Sequence, residues 1–284
     1  MVGAILAYLV LGPGRAGAYT AAGDRFFPAN LVLPQIAPSD AFWIDLSTQP
    51  ETKGQQINFT GTFAKTLTDR FGIQISDGIT RLGSMTGGQN LDLLAQYEAV
   101  NDPEHEFVFS LQVDHQVGTG NNNVDSSRQS ATQPAMTFGK GFGDVPIEAL
   151  RPFAVTGFVG YQIAEGSGTR PNQINTGFSL QYSVPYLVSK VTPLDLPTVL
   201  RGIIPTVEVM WSVPTGNTHH TGNTLTVAPG INYSQGAGWE VGIEAMIPAN
   251  KASGAGIGVI AQVVIQFDYL LPDSILGRPL FARH

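Results

Sequence analysis

Apolar and polar residues alternate one by one through most of this chain, in segments of about ten residues. In "QINFTGTFAKTL", Ile57, Phe59 and Phe63 fall on one side and Asn58, Thr60 and Thr62 on the other. "FGIQISDGITR" repeats the pattern with Phe71, Ile73, Ile75 and Ile79, after a gap of only Thr68 to Arg70. That pair reads as a hairpin. The same period of two runs through the segments around Leu93, Leu111, Val155, Leu180, Val207, Val227 and Ile243, and more weakly around Phe138. The last long apolar run, "GIGVIAQVVIQFDYLL", looks at first like a buried or membrane-spanning helix. Counting decides against that. Ile257, Val259, Val263, Ile265, Phe267 and Tyr269 make one face, and Gly258, Gln262, Gln266 and Asp268 interrupt the other. A helix would scatter those polar residues around its circumference, whereas a strand lines them up. Ile260 and Val264, apolar on the inner side, mark where the interior packs against something.

About eleven such segments have the length a tilted strand needs to cross a bilayer. Their apolar faces are continuous, and their polar faces are rich in Gly, Ser, Thr, Asn and Gln. Charged residues are 13% of the chain, against about 25% in soluble domains. A soluble sandwich would bury its apolar faces against each other and carry a charged outer face. The pattern instead predicts an all-β fold, a transmembrane antiparallel up-and-down β-barrel, apolar outside and polar inside. Closure leaves no sheet edge facing lipid. Tyr97, Phe107, Tyr161, Tyr186, Trp211, Tyr233, Trp239, Phe267 and Tyr269 stand toward strand ends and read as aromatic girdles.

Turns near Thr68–Arg70, Asp102–His105 and Ser234–Gly238 are short. The connections at 84–90, 119–130, 165–172, 215–223 and 250–254 are longer and more polar. Short turns belong to the periplasmic side of such barrels. The segment at Ile57 then runs toward the periplasm, and a preceding strand, "AFWIDLS", is required. This brings the count to about twelve, with both ends periplasmic. Pro134 and Pro229 fall inside predicted strands, where they remove ladder hydrogen bonds. Pro185, Pro214 and Pro248 read as strand terminators. "LVSKVTPLDLPTVLR" (187–201) reads as a short amphipathic helix at the membrane edge.

The N-terminus, with an apolar run from Val2 to Leu11 and Ala16-Gly17-Ala18 after it, reads as a signal peptide over 1–18, although no Lys or Arg precedes the run. Residues 19–39 are then a periplasmic segment or a plug, 40–271 the barrel and 272–284 a C-terminal tail. The net charge of -7 excludes a phosphate-binding basic face and hence nucleic acid as partner. The absence of cysteine excludes disulfides, thiolate metal sites and cysteine nucleophiles.

The inward positions carry Asp92, Glu98, Asp114, Glu208, Glu240, Glu244 and Asp268 and no Lys or Arg. These are the candidate lumen and solute-binding residues. Rings of one sign in a pore select by charge. The alternative is that they pair with Arg128, Arg151, Arg170 or Arg201 from strand ends and loops, or with a plug. No catalytic residue, metal site or cofactor is expected. His115 on the apolar face suggests a lipid-acting enzyme as an alternative, but neighbouring Asp114 points the other way and no serine partner is evident. The loop pair His219-His220 lacks nearby carboxylates for a metal. "GKGFG" at Gly139 lacks the ending of a phosphate loop and reads as structural.

Three segments carry a resemblance: "FGKGFGDVP", "LRPFAVTGFVGY" and "IPANKASGAGIGVIAQ". They are similar to stretches of a Gram-negative outer-membrane β-barrel family described as transporter-like or phenol meta-degradation-pathway-like. The resemblance runs from Phe42 to the C-terminus, about 85% of the chain. It implies a barrel through which small hydrophobic, aromatic-type molecules pass without chemistry, while the inward acids read above point to polar solutes. Its implied partners are outer-membrane lipid, a small-molecule solute and the barrel-assembly machinery, with an assembly signal at Phe267 and Tyr269 or at Phe281. A purely structural outer-membrane protein is the remaining alternative.

Overall fold

The computed structural model describes residues 21–124, 128–166, 170–215, 222–234 and 238–281. The proposed signal peptide over 1–18 and the pair His219-His220 lie outside them. Twelve long strands form the wall. They are β1 (Ala41–Glu51), β2 (Gly54–Thr68), β3 (Phe71–Leu82), β4 (Leu91–Asp102), β5 (Phe107–Val117) and β6 (Ala131–Gly141). Then follow β7 (Phe153–Ala164), β8 (Asn172–Tyr182), β9 (Ile203–Thr215), β10 (Thr224–Ser234), β11 (Trp239–Pro248) and β12 (Gly258–Gln266). Each pairs antiparallel with the next, and β12 pairs with β1 from Val259↔Thr48 to Gln266↔Ala41. The sheet is therefore closed, and its backbone groups are satisfied within the wall.

The alternation seen in the sequence becomes the two faces of this wall. Phe59 (50% exposed), Ile243 (54%) and Val263 (49%) stand outward, whereas Thr137, Thr156 and Ser179 inside have no exposed surface. No helix among the described residues is long and apolar enough to cross a membrane.

Both prolines that conflict with the pattern lie within strands and open the ladder on one side. Pro134 keeps its pairing with Val113 of β5, but the β6–β7 ladder skips from Ala135↔Gly160 to Thr132↔Ile163. Pro229 keeps Val207 of β9, and the β10–β11 ladder skips from Val227↔Ile247 to Gly230↔Glu244. Each missing amide costs pairing with one neighbour only, so the wall holds from the other side.

Three expectations need correction. The last strand ends at Gln266, and Phe267–Leu270 forms a single helical turn. The Phe267 amide donates to Asp40 O at 2.7 Å, which bends the chain away from the ladder. Asp268 and Tyr269 are therefore not on a strand. Tyr186 belongs to no girdle, because strand β8 stops at Tyr182 and Ser183 caps a turn at Val184–Tyr186. Connections at the end where residues 21 and 281 lie are not uniformly short, since 142–152 and 183–202 are long. The latter includes helical turns over Val184–Val191 with Leu194, Val199 and Leu200 exposed. At the opposite end a short strand, Met85–Gly88, folds back on β3.

Ile243 lies outward near the middle of β11, so Ile243→Arg should destabilise the barrel by about 2–4 kcal/mol if it meets lipid. Denaturant titration of protein refolded into lipid vesicles measures this, and the inward Thr156→Ser should shift the midpoint far less.

Candidate functional site

The lumen is filled from one end by the chain's own N-terminal segment. Residues 21–26 form a two-residue-per-arm hairpin at the end carrying the termini. The chain then rises into the barrel, turns over Asn30–Gln35 and returns to Ala41. The turn is clamped by its own side chains: Asn30 N donates to Gln35 Oε1 (3.2 Å), Gln35 Nε2 to Asn30 O (2.9 Å) and Asn30 Nδ2 to Pro34 O (2.9 Å).

An irregular segment inside a barrel brings buried amides and carbonyls that must find partners. The wall supplies them. Glu208 accepts from three successive amides, Leu31 N at 2.9 Å and Val32 N and Leu33 N at 2.8 Å each. A carboxylate is an acceptor with several lone pairs, and bonds to it are stronger than neutral ones. Glu240 accepts from Ala29 N at 3.0 Å. In return Gln262 donates to Asn30 O (3.3 Å), Gln96 to Gln35 O (3.0 Å) and Thr137 to Ile36 O (3.0 Å).

Side chains of the segment occupy hollows over inward glycines. A β-carbon on Gly242 would lie 2.7 Å from Leu31, on Gly177 2.6 Å from Leu33, and on Gly139 2.5 Å from Ile36. Those distances are well inside carbon–carbon contact at about 3.5 Å. The "GKGFG" motif is thus a receptor for the plug. Inner apolar wall residues complete the packing: Trp43 and Val264 cluster with Ala29, and Val108 and Ala154 with Phe27, Ile36 and Ala37. Val264 and Ile260, singled out in the sequence, do border the plug, since Ile260 lines the cavity whose floor is Leu31.

Two ion pairs pin the ends of the segment. Arg25 bonds Glu106 at 3.0 Å and stacks 3.7 Å over the Tyr186 ring, whose hydroxyl donates to Glu106 Oε1 at 2.7 Å. Burial first, then the Glu106 carboxylate, push the Tyr186 hydroxyl up to about 12. Lys65 bonds Asp40 at 2.6 Å and also Arg278 O at 2.7 Å. The C-terminal tail reaches this pair, with Leu280 N and Phe281 N donating to Thr66 O and Leu67 O. Neither Arg25 nor Lys65 stands out in the sequence, because neither lies on an inward position of a strand.

Above the plug, toward the end with the longer loops, a cavity of about 580 Å³ remains. Its lining includes Asp45, Asp92, Asn58, Gln89, Gln116 and Arg170, with Leu31 and Ile260 as the apolar contribution. A side chamber of about 170 Å³ lies between Asp92, Asp114, Gln112 and Pro34.

The candidate acids therefore separate into groups. Glu208, Glu240 and Glu244 are buried around the plug. Asp92 and Asp114 face the open space, with Arg170 from a loop bonding Gln116 at 2.6 Å. Glu98 sits at a bulge near the termini, where its amide donates to Arg70 O. Asp268 lies beyond the last strand, near Asp40. Asp45, which accepts from Gln262 at 2.8 Å, belongs with the vestibule and was missed, although it lies inward on "AFWIDLS". His115 faces outward and meets Thr132 at 2.9 Å, and Thr132 donates to Glu165 at 2.5 Å. That polar trio joins two strands and a loop end, a juxtaposition no local sequence pattern signals.

No protein-family model and no curated protein matches the chain. Solved structures do. A KdgM porin aligns with 79% of this chain and 99% of its own, at 10% identity and a TM-score of 0.52. A second KdgM structure, in complex with disordered oligogalacturonate, gives 79%, 99%, 11% and 0.51. The COG4313 outer membrane channel from Pseudomonas putida F1 aligns with 85% of this chain and 99% of its own, at 13% identity and 0.50. The fold is that of an outer-membrane barrel. At these identities the likeness concerns the path of the wall and carries no residue roles.

Burial, and next the Asp40 carboxylate, push Asp268 up to about 7. A carboxyl raised in the folded state favours folding while neutral and loses that contribution as pH rises from about 4 through 7. Asp268→Asn should therefore match the native protein near pH 4 and exceed it in stability above pH 7, measured by denaturant midpoints at the two pH values. Arg25→Met leaves the Glu106 carboxylate buried without its cation and should cost about 3–5 kcal/mol of plug docking. Limited proteolysis of the N-terminal segment reports that loss.

Proposed function

We propose that the protein is an outer-membrane channel for small polar solutes, held shut in this state by its N-terminal segment. One observation carries the reading: a polar cavity lies in the lumen above Leu31, and below that point the lumen is filled by residues 25–40, which belong to no wall strand. A barrel built only as a membrane-embedded structure has no need of a hydrogen-bonding vestibule above a removable filling. In this reading the loop end faces outward and both termini face the periplasm.

The vestibule also bears on the solute. Among the described residues it holds Asp45 and Asp92 against the guanidinium of Arg170, with neutral hydroxyls and amides and no aromatic side chain in the lining. Planar amides and hydroxyls suit solutes with many donors, and the carboxylates favour uncharged or cationic ones. Oligogalacturonate, named in the KdgM complex, is a polyanion, and the carboxylates of Asp45 and Asp92 would repel it here. Hydrophobic aromatic solutes, expected from the family resemblance, find no stacking partner in the vestibule.

The full-length chain carrying Leu31→Asp and Leu33→Asp tests the reading. New carboxylates beside Glu208 repel the plug from its seat. In planar bilayers the native protein should stay closed for most of the recording, while this variant should conduct steadily, with cations passing in preference to anions. Absence of current in the folded, heat-modifiable variant would leave a structural barrel.

A further inference from the structure

The wall that holds the plug recognises main chain. Glu208 and Glu240 take the amides of Ala29 and Leu31 to Leu33, and Gln262, Gln96 and Thr137 reach the carbonyls of Asn30, Gln35 and Ile36. Away from the ion pairs at its two ends, the plug has one polar side-chain contact with the wall among the described residues, Thr156 Oγ1 to Asn30 Oδ1 at 3.2 Å. Other side chains enter glycine hollows that ask for apolar bulk and little else. Recognition through main-chain groups with shallow apolar pockets is how proteins bind short peptides of varied sequence.

The same wall has unused capacity. Glu240 and Glu244 are 0% and 2% exposed, and one oxygen of each carboxylate has no hydrogen-bond partner. Asn232 Oδ1, 1% exposed, is likewise without a donor. Glu240 and Glu244 flank Gly242 on one face, and Asn232 Oδ1 lies over that glycine, 2.3 Å from where a β-carbon would stand. Buried acceptors left without donors are uncommon and point to a missing group rich in N–H. The plug cannot supply it: residues 27–39, "FPANLVLPQIAPS", carry no formal charge, and Ala29 offers a single amide to Glu240.

We propose that this wall is a binding site for a short peptide with uncharged side chains and a free amino terminus, which takes the place of the plug. The proposal rests on the channel reading and names a solute class for the same lumen. A peptide whose first residue stands where Ala29 does places its ammonium at Glu240. Its two extra N–H groups are then directed at the idle oxygens of Glu240 and Asn232, which already stands against the Ala29 carbonyl. The rest of the peptide follows the plug's path past Glu208, with apolar side chains over Gly242, Gly177 and Gly139. Charged acidic side chains are excluded by Glu208 and Glu244.

The test uses the full chain carrying Leu31→Asp and Leu33→Asp and the peptide Ala-Asn-Leu-Val-Leu-Pro-Gln-Ile-Ala, labelled at its C-terminus. Fluorescence anisotropy should show saturable binding. Acetylating the amino terminus should weaken binding roughly tenfold, the value of one lost charge-assisted contact. Adding Glu240→Gln should abolish the difference between the two peptides, with heat-modifiable migration confirming that the barrel has folded. The acetylation comparison needs no change to the wall and stands alone if that variant fails to fold. Equal binding of free and acetylated peptide, or no saturable binding of either, overturns the proposal. Conductance is read separately: current without peptide binding sinks this inference and leaves the channel, and peptide binding without current does the reverse.

Discussion

A backbone amide or carbonyl in an apolar surrounding must be paired within the protein, and both parts of this structure follow from that constraint. The wall meets it by closing β12 onto β1, so that no edge faces outward. Pro134 and Pro229 show how little slack there is. Each gives up one ladder, and the strand is carried by its other neighbour. A barrel of this size then encloses a space that inward glycines leave open, and a segment that fills it carries backbone groups of its own.

Those groups explain the acids. Inward carboxylates at Glu208 and Glu240 read in the sequence as a charged ring for passing ions. In the structure they are acceptors for amides that the turn's own side chains leave unpaired. The carboxylates that still face open space, Asp45, Asp92 and Asp114, lie toward the vestibule and chamber beside the turn. One lumen thus has a lower half that binds the main chain of the protein's own N-terminal segment and an upper half lined by polar side chains. Gln262 touches both, bonding Asp45 and the carbonyl of Asn30.

Much of the wall was legible because lipid on one side and polar contents on the other impose a period of two, and that period survives in local sequence. Ile57 and Phe59 are outward as counted, and Thr62 is inward. Errors cluster at strand ends. Phe267 to Tyr269 continue the alternation, but a tertiary bond from Phe267 to Asp40 ends the strand first. Tyr186 looks like a girdle residue by composition and is drawn under Arg25 by a contact with a residue far away in the chain. Ion pairs such as Lys65 with Asp40 leave no periodic trace.

By itself the sequence determined that the chain forms a closed antiparallel barrel, apolar outside, with acids and glycines within, because strand periodicity is a local property. It also marked Ile260 and Val264 as places where the interior is packed. Only the tertiary structure decided what lies in the lumen and which acids serve it. Residues 25–40 have no period to read, and their partners on β4, β6, β9, β11 and β12 come together only when the barrel closes around them.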